Sequence, residues 1–476
     1  MTQTLNLLFL AAEAEPFVKV GGLGDVAGSL PRALRALSND NQQIDARLVL
    51  PYHSVIKADP LKSLGIFSIP FDNGEIQVEA FETLVNGMPV YLINGEPIRA
   101  NGSVYSSNAG MDTEKYAFFS LAALELTRHI NWQPQVIHAN DWHTALSVYA
   151  SLARSWEQGA RRPVSVLTLH NLPFMGADVG NLLERYHIKL AQTDLPDWAR
   201  VLPLPLGLWA ADAIVPVSES YGQEILTPEY GCGLQEFLRV REDSIHGILN
   251  GLDVDSFNPA IDSALTERFS IETLDARAAN KTALQEKLDL PFSLHIPLFG
   301  MVSRMDIQKG VDLVFSALKN IKALDWQAVI LASGDIKLEQ EALALQESFP
   351  NKVKVITRYD ATLARQIYSG ADALLMPSRY EPCGLSQMIA MRYGCLPIVR
   401  ATGGLKDTVL NGQNGFVFEK THHLSLAAAI KTALKTYQNQ DAWRSMQRVG
   451  MAQNFSWGNS AQKYLNLYQT LLNSKP

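Results

Sequence analysis

Cysteine is scarce in this chain. Cys232, Cys383 and Cys395 stand far apart among 476 residues and form no Cys-x-x-Cys pair, which excludes a disulfide framework or a cysteine-ligated zinc site and suits a reducing compartment. Positive charge is short as well, 41 lysines and arginines against 48 aspartates and glutamates, for a net charge of −7. Nucleic acid and anionic membranes both need a basic face, so neither is expected as a partner. No apolar run is long enough to span a bilayer: the most lipid-like stretch, 201–217, is broken by Pro203, Pro205, Gly207, Asp212 and Pro216. The apolar run 5–12 has no lysine or arginine before it and is followed by Glu13 and Glu15, unlike a secretory leader. A soluble, cytoplasmic protein without a targeting peptide is expected. Tandem repeats and low-complexity tracts are lacking too, which speaks against a solenoid.

What is present is length and pattern. A chain of 476 residues is too long for one core and suits two domains. Short apolar runs at 5–12, 47–51, 90–93, 136–139, 164–169 and 213–217 alternate with helix-period segments. The pattern restarts at 298–302, 329–332, 353–356, 373–376, 397–399 and 416–418. Alternation of this kind indicates an α/β fold of two Rossmann-like domains with parallel sheets, whose ligands sit outside the carboxyl ends of the strands. Gly247, Asn250, Gly251 and Pro259 break regular structure between the two runs, and the first domain is assigned to 1–245 and the second to 246–455.

Two stretches stand out, Lys19-Val-Gly-Gly-Leu-Gly-Asp25 and Ser378-Arg-Tyr-Glu-Pro-Cys-Gly-Leu-Ser386. Each sets glycines where backbone can approach a ligand, next to Lys19 or Glu381, at the mouth of a helix whose free N–H groups favour anions. They are expected to be the lips of one interdomain cleft. Gly22-Leu-Gly-Asp-Val-Ala27 also fits the dinucleotide fingerprint, but it begins about ten residues after the first strand core, and the second strand ends at Pro51-Tyr-His53 without a ribose-binding acid. A purely structural glycine turn is the other alternative.

Asp253-Val-Asp255 could hold a metal beside a diphosphate, but its setting of Asn, Gly and Pro favours a turn. No metal is expected, so a departing diphosphate needs cationic side chains. Arg304 and Lys309, in the loop after strand 298–302, are either that clamp or two solvated cations; the neighbouring Gly384-Leu385-Ser386 helix start tips the balance to the clamp. Glu381, held extended by Pro382, is a poor neighbour for phosphate and a good acceptor for sugar hydroxyls. Cys383 reads as a packed residue rather than a nucleophile. His170, with Asn171, ends a strand and is drawn towards the site. His138, Asp141 and His143 diverge too much for a metal, and Trp142, Trp209, Tyr52 and Tyr105 are stacking faces or core.

The chain resembles the bacterial glycogen synthases and plant starch synthases, α-1,4-glucan synthases of the GT-B type, over essentially its whole length. The matches are Leu8-Phe-Leu-Ala-Ala-Glu-Ala-Glu-Pro-Phe17, the Lys19 stretch through Pro31, His138-Ala-Asn-Asp-Trp-His143, Leu169-His-Asn171, Glu229-Tyr-Gly-Cys-Gly233 and Gly247-Ile-Leu-Asn-Gly-Leu-Asp253. They continue with Val302-Ser-Arg304, Gln308-Lys-Gly310, the Ser378 stretch through Gln387, Ala390-Met-Arg-Tyr-Gly394 and Thr402-Gly-Gly-Leu405. The resemblance implies two Rossmann-like domains facing a deep cleft, with Phe455-Ser-Trp457 opening a segment, 456–476, that crosses back to the first domain.

It implies retaining transfer of glucose from ADP-glucose to the 4-hydroxyl at the non-reducing end of an α-1,4-glucan primer, with no cofactor. UDP-glucose, a small acceptor and a non-catalytic binding protein are the alternatives. Lys19, Arg304 and Lys309 would offset diphosphate charge. Gly22, Gly384 and Leu385 would hold diphosphate and sugar, with Asp25, Asn171, Asn250, Cys383 and Ser386 also lining the site. Glu381 would hold glucose hydroxyls, Asp141 and His170 would line the sugar, and Tyr359 would stack on adenine. Family members commonly have Thr, His and Thr where this chain has Val20, Asn140 and Ser386, and segment 96–111 departs most, in a loop expected to shape acceptor access.

Overall fold

The computed structural model describes residues 3–158 and 162–474. The chain divides into two compact units, residues 1–251 with 457–476, and residues 252–456. The division falls beyond the expected 245, because the N–H groups of His246 and Ile248 still bond to the carbonyls of Ile214 and Pro216 at 2.9 and 3.0 Å.

The first unit is built on a sheet of eight strands: β1 (Gln3–Leu10), β2 (Gln42–Pro51), β3 (Lys62–Phe71), β4 (Gly74–Val85), β5 (Met88–Asn94), β6 (Val136–Asn140), β7 (Val164–Leu169) and β8 (Ala213–Pro216). Their order is β3-β4-β5-β2-β1-β6-β7-β8. From β5 to β8 every pairing is parallel, and these strands are apolar and buried, as sheets covered on both faces require. β3 and β4 form an antiparallel hairpin that adds to β5. The hairpin adds to the expected parallel strands two that the sequence pattern did not indicate. The hairpin lies at an edge with much of each strand exposed, so it shows no apolar run, and Asp72 turns its tip at φ 51°.

The terminal helix Trp457–Ser474 packs in this unit against helix Gly22–Ala36. It brings the Tyr468 hydroxyl within 2.6 Å of His138 Nδ1, whose Nε2 lies 2.7 Å from Thr168 Oγ1. Among the described residues no helix is long and apolar enough to cross a membrane.

The second unit holds β9 (Leu298–Met305), β10 (Gln327–Gly334), β11 (Val353–Ile356), β12 (Ala373–Met376), β13 (Leu396–Arg400) and β14 (Phe416–Phe418). The order is β11-β10-β9-β12-β13-β14, parallel throughout. Phe299, Ile330, Leu375 and Ile398 of the strands join Val314, Trp326 and Trp443 in its core. Leu252 bridges Ser456, so the two ends of this unit leave side by side.

Each sheet has a point where the chain changes its direction of growth. In the first it falls between β1 and β6, in the second between β9 and β12. Neighbouring loops part there and leave a crevice at the carboxyl ends of the strands. Lys19, Asp141, Lys309 and Glu381 each follow one of these four strands, whereas His170 and Asn171 follow β7 and Tyr359 follows β11.

Candidate active site

In the first unit the crevice is lined by the loops after β1 and β6. Beyond β1 the chain makes an isolated turn, Ala14 bridging Val18, and enters helix Gly22–Ala36 with Gly21 as N-cap. The Lys19 ammonium pairs with Asp25 at 2.7 Å and Glu15 at 3.1 Å. Burial alone would lower the Lys19 pKa, but these two carboxylates outweigh it and raise it. The cation is therefore fixed beside the first helical turn. A Cβ on Gly22 would meet nothing within 4 Å, so packing does not demand glycine there.

Asp141 opens the helix after β6 with φ at 54°. Its carboxylate accepts the His170 and Asn171 N–H groups at 2.7 and 3.2 Å, tying the loop after β7 to the loop after β6. Burial still dominates and pushes its pKa up to about 7. The Asn140 amide donates to the Leu10 carbonyl at 2.9 Å, so its oxygen faces His170 Nε2 at 3.0 Å. That nitrogen must carry the proton, which leaves Nδ1 as the acceptor. Burial lowers the His170 pKa to about 3, and the ring is neutral. The side-chain oxygens of Asn171 and Asn250 are buried with no partner among the described residues.

His138 and His143 belong to other surroundings. His138 sits between Tyr468 and Thr168, and His143 packs among the rings of Tyr105, Tyr116 and Trp142.

In the second unit the crevice lies between the loops after β9 and β12. The two are stitched together: the Arg379 N–H donates to the Gln308 carbonyl at 2.8 Å, and the Gln308 amide donates to the Tyr380 carbonyl at 3.0 Å. Gly310, at φ 70°, would drive a Cβ to 2.3 Å from the Pro377 carbonyl. This close approach sets Lys309 against Glu381 at 2.6 Å, with the Ser378 hydroxyl donating to the same carboxylate oxygen at 2.9 Å. Arg304 and Lys309, expected as a diphosphate clamp, meet different side chains here. Lys309 binds Glu381, while the Arg304 side chain is 67% exposed, 3.3 Å from Asp306 and from Gln308.

Glu381 is buried. Gly403 and Gly404 pack so tightly beneath it that a Cβ on either would stand 2.1 Å from the Glu381 or Cys383 carbonyl. Gly384 turns at φ 72°. Helix Ser386–Arg392 begins with Leu385 as N-cap, and the Ser386 hydroxyl lies 3.3 Å from the Tyr368 hydroxyl. Cys383 is buried. Tyr359, in contrast, is 88% exposed, its ring open to solvent after β11.

Asp253 caps a turn. Its Oδ1 accepts the N–H groups of Asp255 and Ser256 at 3.1 and 3.0 Å, and its Oδ2 the Ser256 hydroxyl at 2.8 Å.

The residue missed from sequence is Glu13, 1% exposed at the end of β1. Its carboxylate accepts the N–H groups of Val20 and Gly21 and the Tyr105 hydroxyl. The signal was available: the first acid following an apolar strand at the carboxyl edge of a sheet.

The comparisons agree with this geometry. Residues 6–240 match the family model described as the starch synthase catalytic domain, and residues 289–448 that of glycosyl transferases group 1. Glycogen synthases of Clostridium perfringens and Streptococcus sanguinis are each 38% identical, covering 98% of this chain and 98% and 100% of their own. The catalytic domain of starch synthase IV from Arabidopsis thaliana, bound to ADP and acarbose, superposes with a TM-score of 0.89 at 31% identity, over 99% of this chain and 100% of that one. A sucrose-phosphate synthase of Thermosynechococcus elongatus shares the fold at a TM-score of 0.62 and 18% identity. Two Rossmann-like units with these crevices define a glycosyltransferase of the GT-B class. Within that class, the chain belongs to the glycogen and starch synthase family.

Proposed function

We propose that this glucan synthase transfers glucose from ADP-glucose to the 4-hydroxyl at the non-reducing end of an α-1,4-glucan, with retention at the anomeric carbon. The observation that carries the reading is the Glu381 carboxylate, held at 2.6 Å by Lys309 and 2.9 Å by Ser378. It is a buried acceptor set for sugar hydroxyls beside cations set for a diphosphate. The ADP carried by the starch synthase IV structure supports the choice of donor, and the open ring of Tyr359 offers a face for adenine.

In this reading Lys19, Arg304 and Lys309 offset the charge that grows on the leaving diphosphate. Such preorganised donors are worth roughly 3–4 kcal/mol each in a water-poor site. The N–H groups at Gly22, Gly384 and Leu385 receive phosphate oxygens, with Cys383 and Ser386 beside them. Asp25 holds Lys19 in place, and Asp141, neutral His170, Asn171 and Asn250 line the glucose. Retention without a second carboxylate close to the anomeric carbon points to a front-face route, in which the departing phosphate oxygen takes the acceptor's proton. The new C1–O bond forms as the C1–O bond to phosphate breaks. A trapped covalent glucosyl–enzyme on Glu381 or Asp141 would refute that route.

The deciding assay is incorporation of labelled glucose into a glycogen primer from ADP-glucose and from UDP-glucose, with chelator present. Transfer from ADP-glucose without metal is expected. Preference for UDP-glucose would replace the donor, and transfer from neither would leave a small-acceptor transferase or a binding protein.

A further inference from the structure

Segment 96–111, expected to shape acceptor access, has a firm structure. Its middle is fastened to the helix Ala109–His129 that follows. Asp112 accepts the Asn101 amide at 2.6 Å and the Ser106 N–H at 2.8 Å. The fully buried Lys115 donates to the carbonyls of Ser103 and Val104, both at 2.8 Å, and the Tyr116 hydroxyl to that of Val104 at 2.6 Å. Asp112, Lys115 and Tyr116 are one helical turn apart and share a face, so together they grip the loop from one side. Tyr105 emerges from this grip with its ring 5.0 Å from that of His143. Its hydroxyl reaches Glu13 Oε1 at 3.0 Å.

Glu13 in turn holds the glycine loop. Its two oxygens accept the Gly21 N–H at 3.2 and 3.1 Å, and Oε2 accepts that of Val20. With those two donors engaged, the next two N–H groups, of Gly22 and Leu23, meet no acceptor among the described residues. They open the helix and remain free for an anion. Gly21 and Gly22 would otherwise let this stretch move freely, and Lys19 would move with it. Burial raises the Tyr105 pKa far above the ordinary value, so the hydroxyl keeps its proton and always donates.

We propose that Tyr105 is a positioning residue for the nucleotide-sugar side of the reaction: through Glu13 it fixes the Lys19–Gly22 loop in the shape that receives the diphosphate. Segment 96–111 therefore acts on the donor side. This rests on the reading of Lys19 and Gly22 as diphosphate contacts.

The test measures initial rates for the full chain with ADP-glucose and glycogen each varied, for wild type, Tyr105→Phe, Glu13→Gln and Lys19→Gln. ADP binding by calorimetry and melting temperature accompany each. Tyr105→Phe, which removes one hydroxyl, is expected to raise KM for ADP-glucose and weaken ADP binding about tenfold. KM for glycogen and the melting temperature should stay at the wild-type values. Glu13→Gln should do the same more strongly. If it fails to fold, Tyr105→Phe alone decides. A Tyr105→Phe enzyme with altered KM for glycogen and normal ADP binding would make Tyr105 an acceptor contact and overturn the proposal. So would unchanged kinetics. If Lys19→Gln leaves ADP binding intact, the underlying reading of the loop fails; if it weakens binding while Tyr105→Phe does not, the positioning role alone fails.

Discussion

Gly22 and Gly404 are glycines for opposite reasons. A side chain at Gly22 would enter open space, whereas at Gly404 it would strike the Cys383 carbonyl at 2.1 Å. Gly22→Ala should therefore leave urea stability unchanged or raise it by up to about 1 kcal/mol, while slowing glucose transfer. Gly404→Ala should cost about 1–3 kcal/mol or more by overpacking. The Lys309–Glu381 pair makes a similar contrast. Lys309→Ala leaves a carboxylate whose side chain is 9% exposed without its cation, a loss of about 3 kcal/mol. Glu381→Gln keeps an acceptor for Ser378, and its lone ammonium is the better exposed of the pair, at 20%. Turnover should fall steeply for Glu381→Gln with the smaller change in unfolding free energy.

At the scale of elements, how visible each one was in the sequence follows from its burial. The buried strands β7 and β12 agree with the sequence runs 164–169 and 373–376, because a strand covered on both faces is an uninterrupted apolar word; the edge strands β11 and β14 agree with 353–356 and 416–418 although they are less fully covered. The β3–β4 hairpin was invisible because its strands alternate and face solvent. The site divides in the same way. Lys19, Glu381 and His170 announce themselves as polar residues after apolar strands. The partnership of Lys309 with Glu381 instead depends on the close approach of Gly310 to Pro377, which no local pattern encodes. The last helix makes its own prediction: Tyr468→Phe removes the 2.6 Å bond to His138 and should cost about 1–2 kcal/mol. Hydrogen exchange should report it in peptides of the first unit and leave those of the second unchanged.

For the whole molecule, the two units should respond differently to acid. Burial lowers the pKa of five histidines in the first unit: His53 to about 4, His138 and His170 to about 3, His143 well below its ordinary value, and His246 below it. Below pH 6.5 the unfolded chain binds those protons and the folded chain does not, so stability falls with pH. Asp141, raised to about 7, and Glu13, also raised by burial, work the other way. Five sites against two leave an excess of one to two or more protons on the unfolded state, on the order of 1–3 kcal/mol per pH unit between 6 and 4.5. In the second unit burial opposes ionisation of Asp262 and Asp312, but Tyr393 and Arg365 on the one and Arg379 on the other hold both pKa values below normal. Their contribution is lost only below about pH 4. Exchange-mass spectrometry across a pH series should show the first unit opening first. The connectivity of the chain adds an order in time. Because the second unit is inserted whole between Gly251 and Trp457, a ribosome releases it complete while the first unit still waits for Tyr464 and Tyr468. The half of the protein that is synthesised first is the half that can finish folding last.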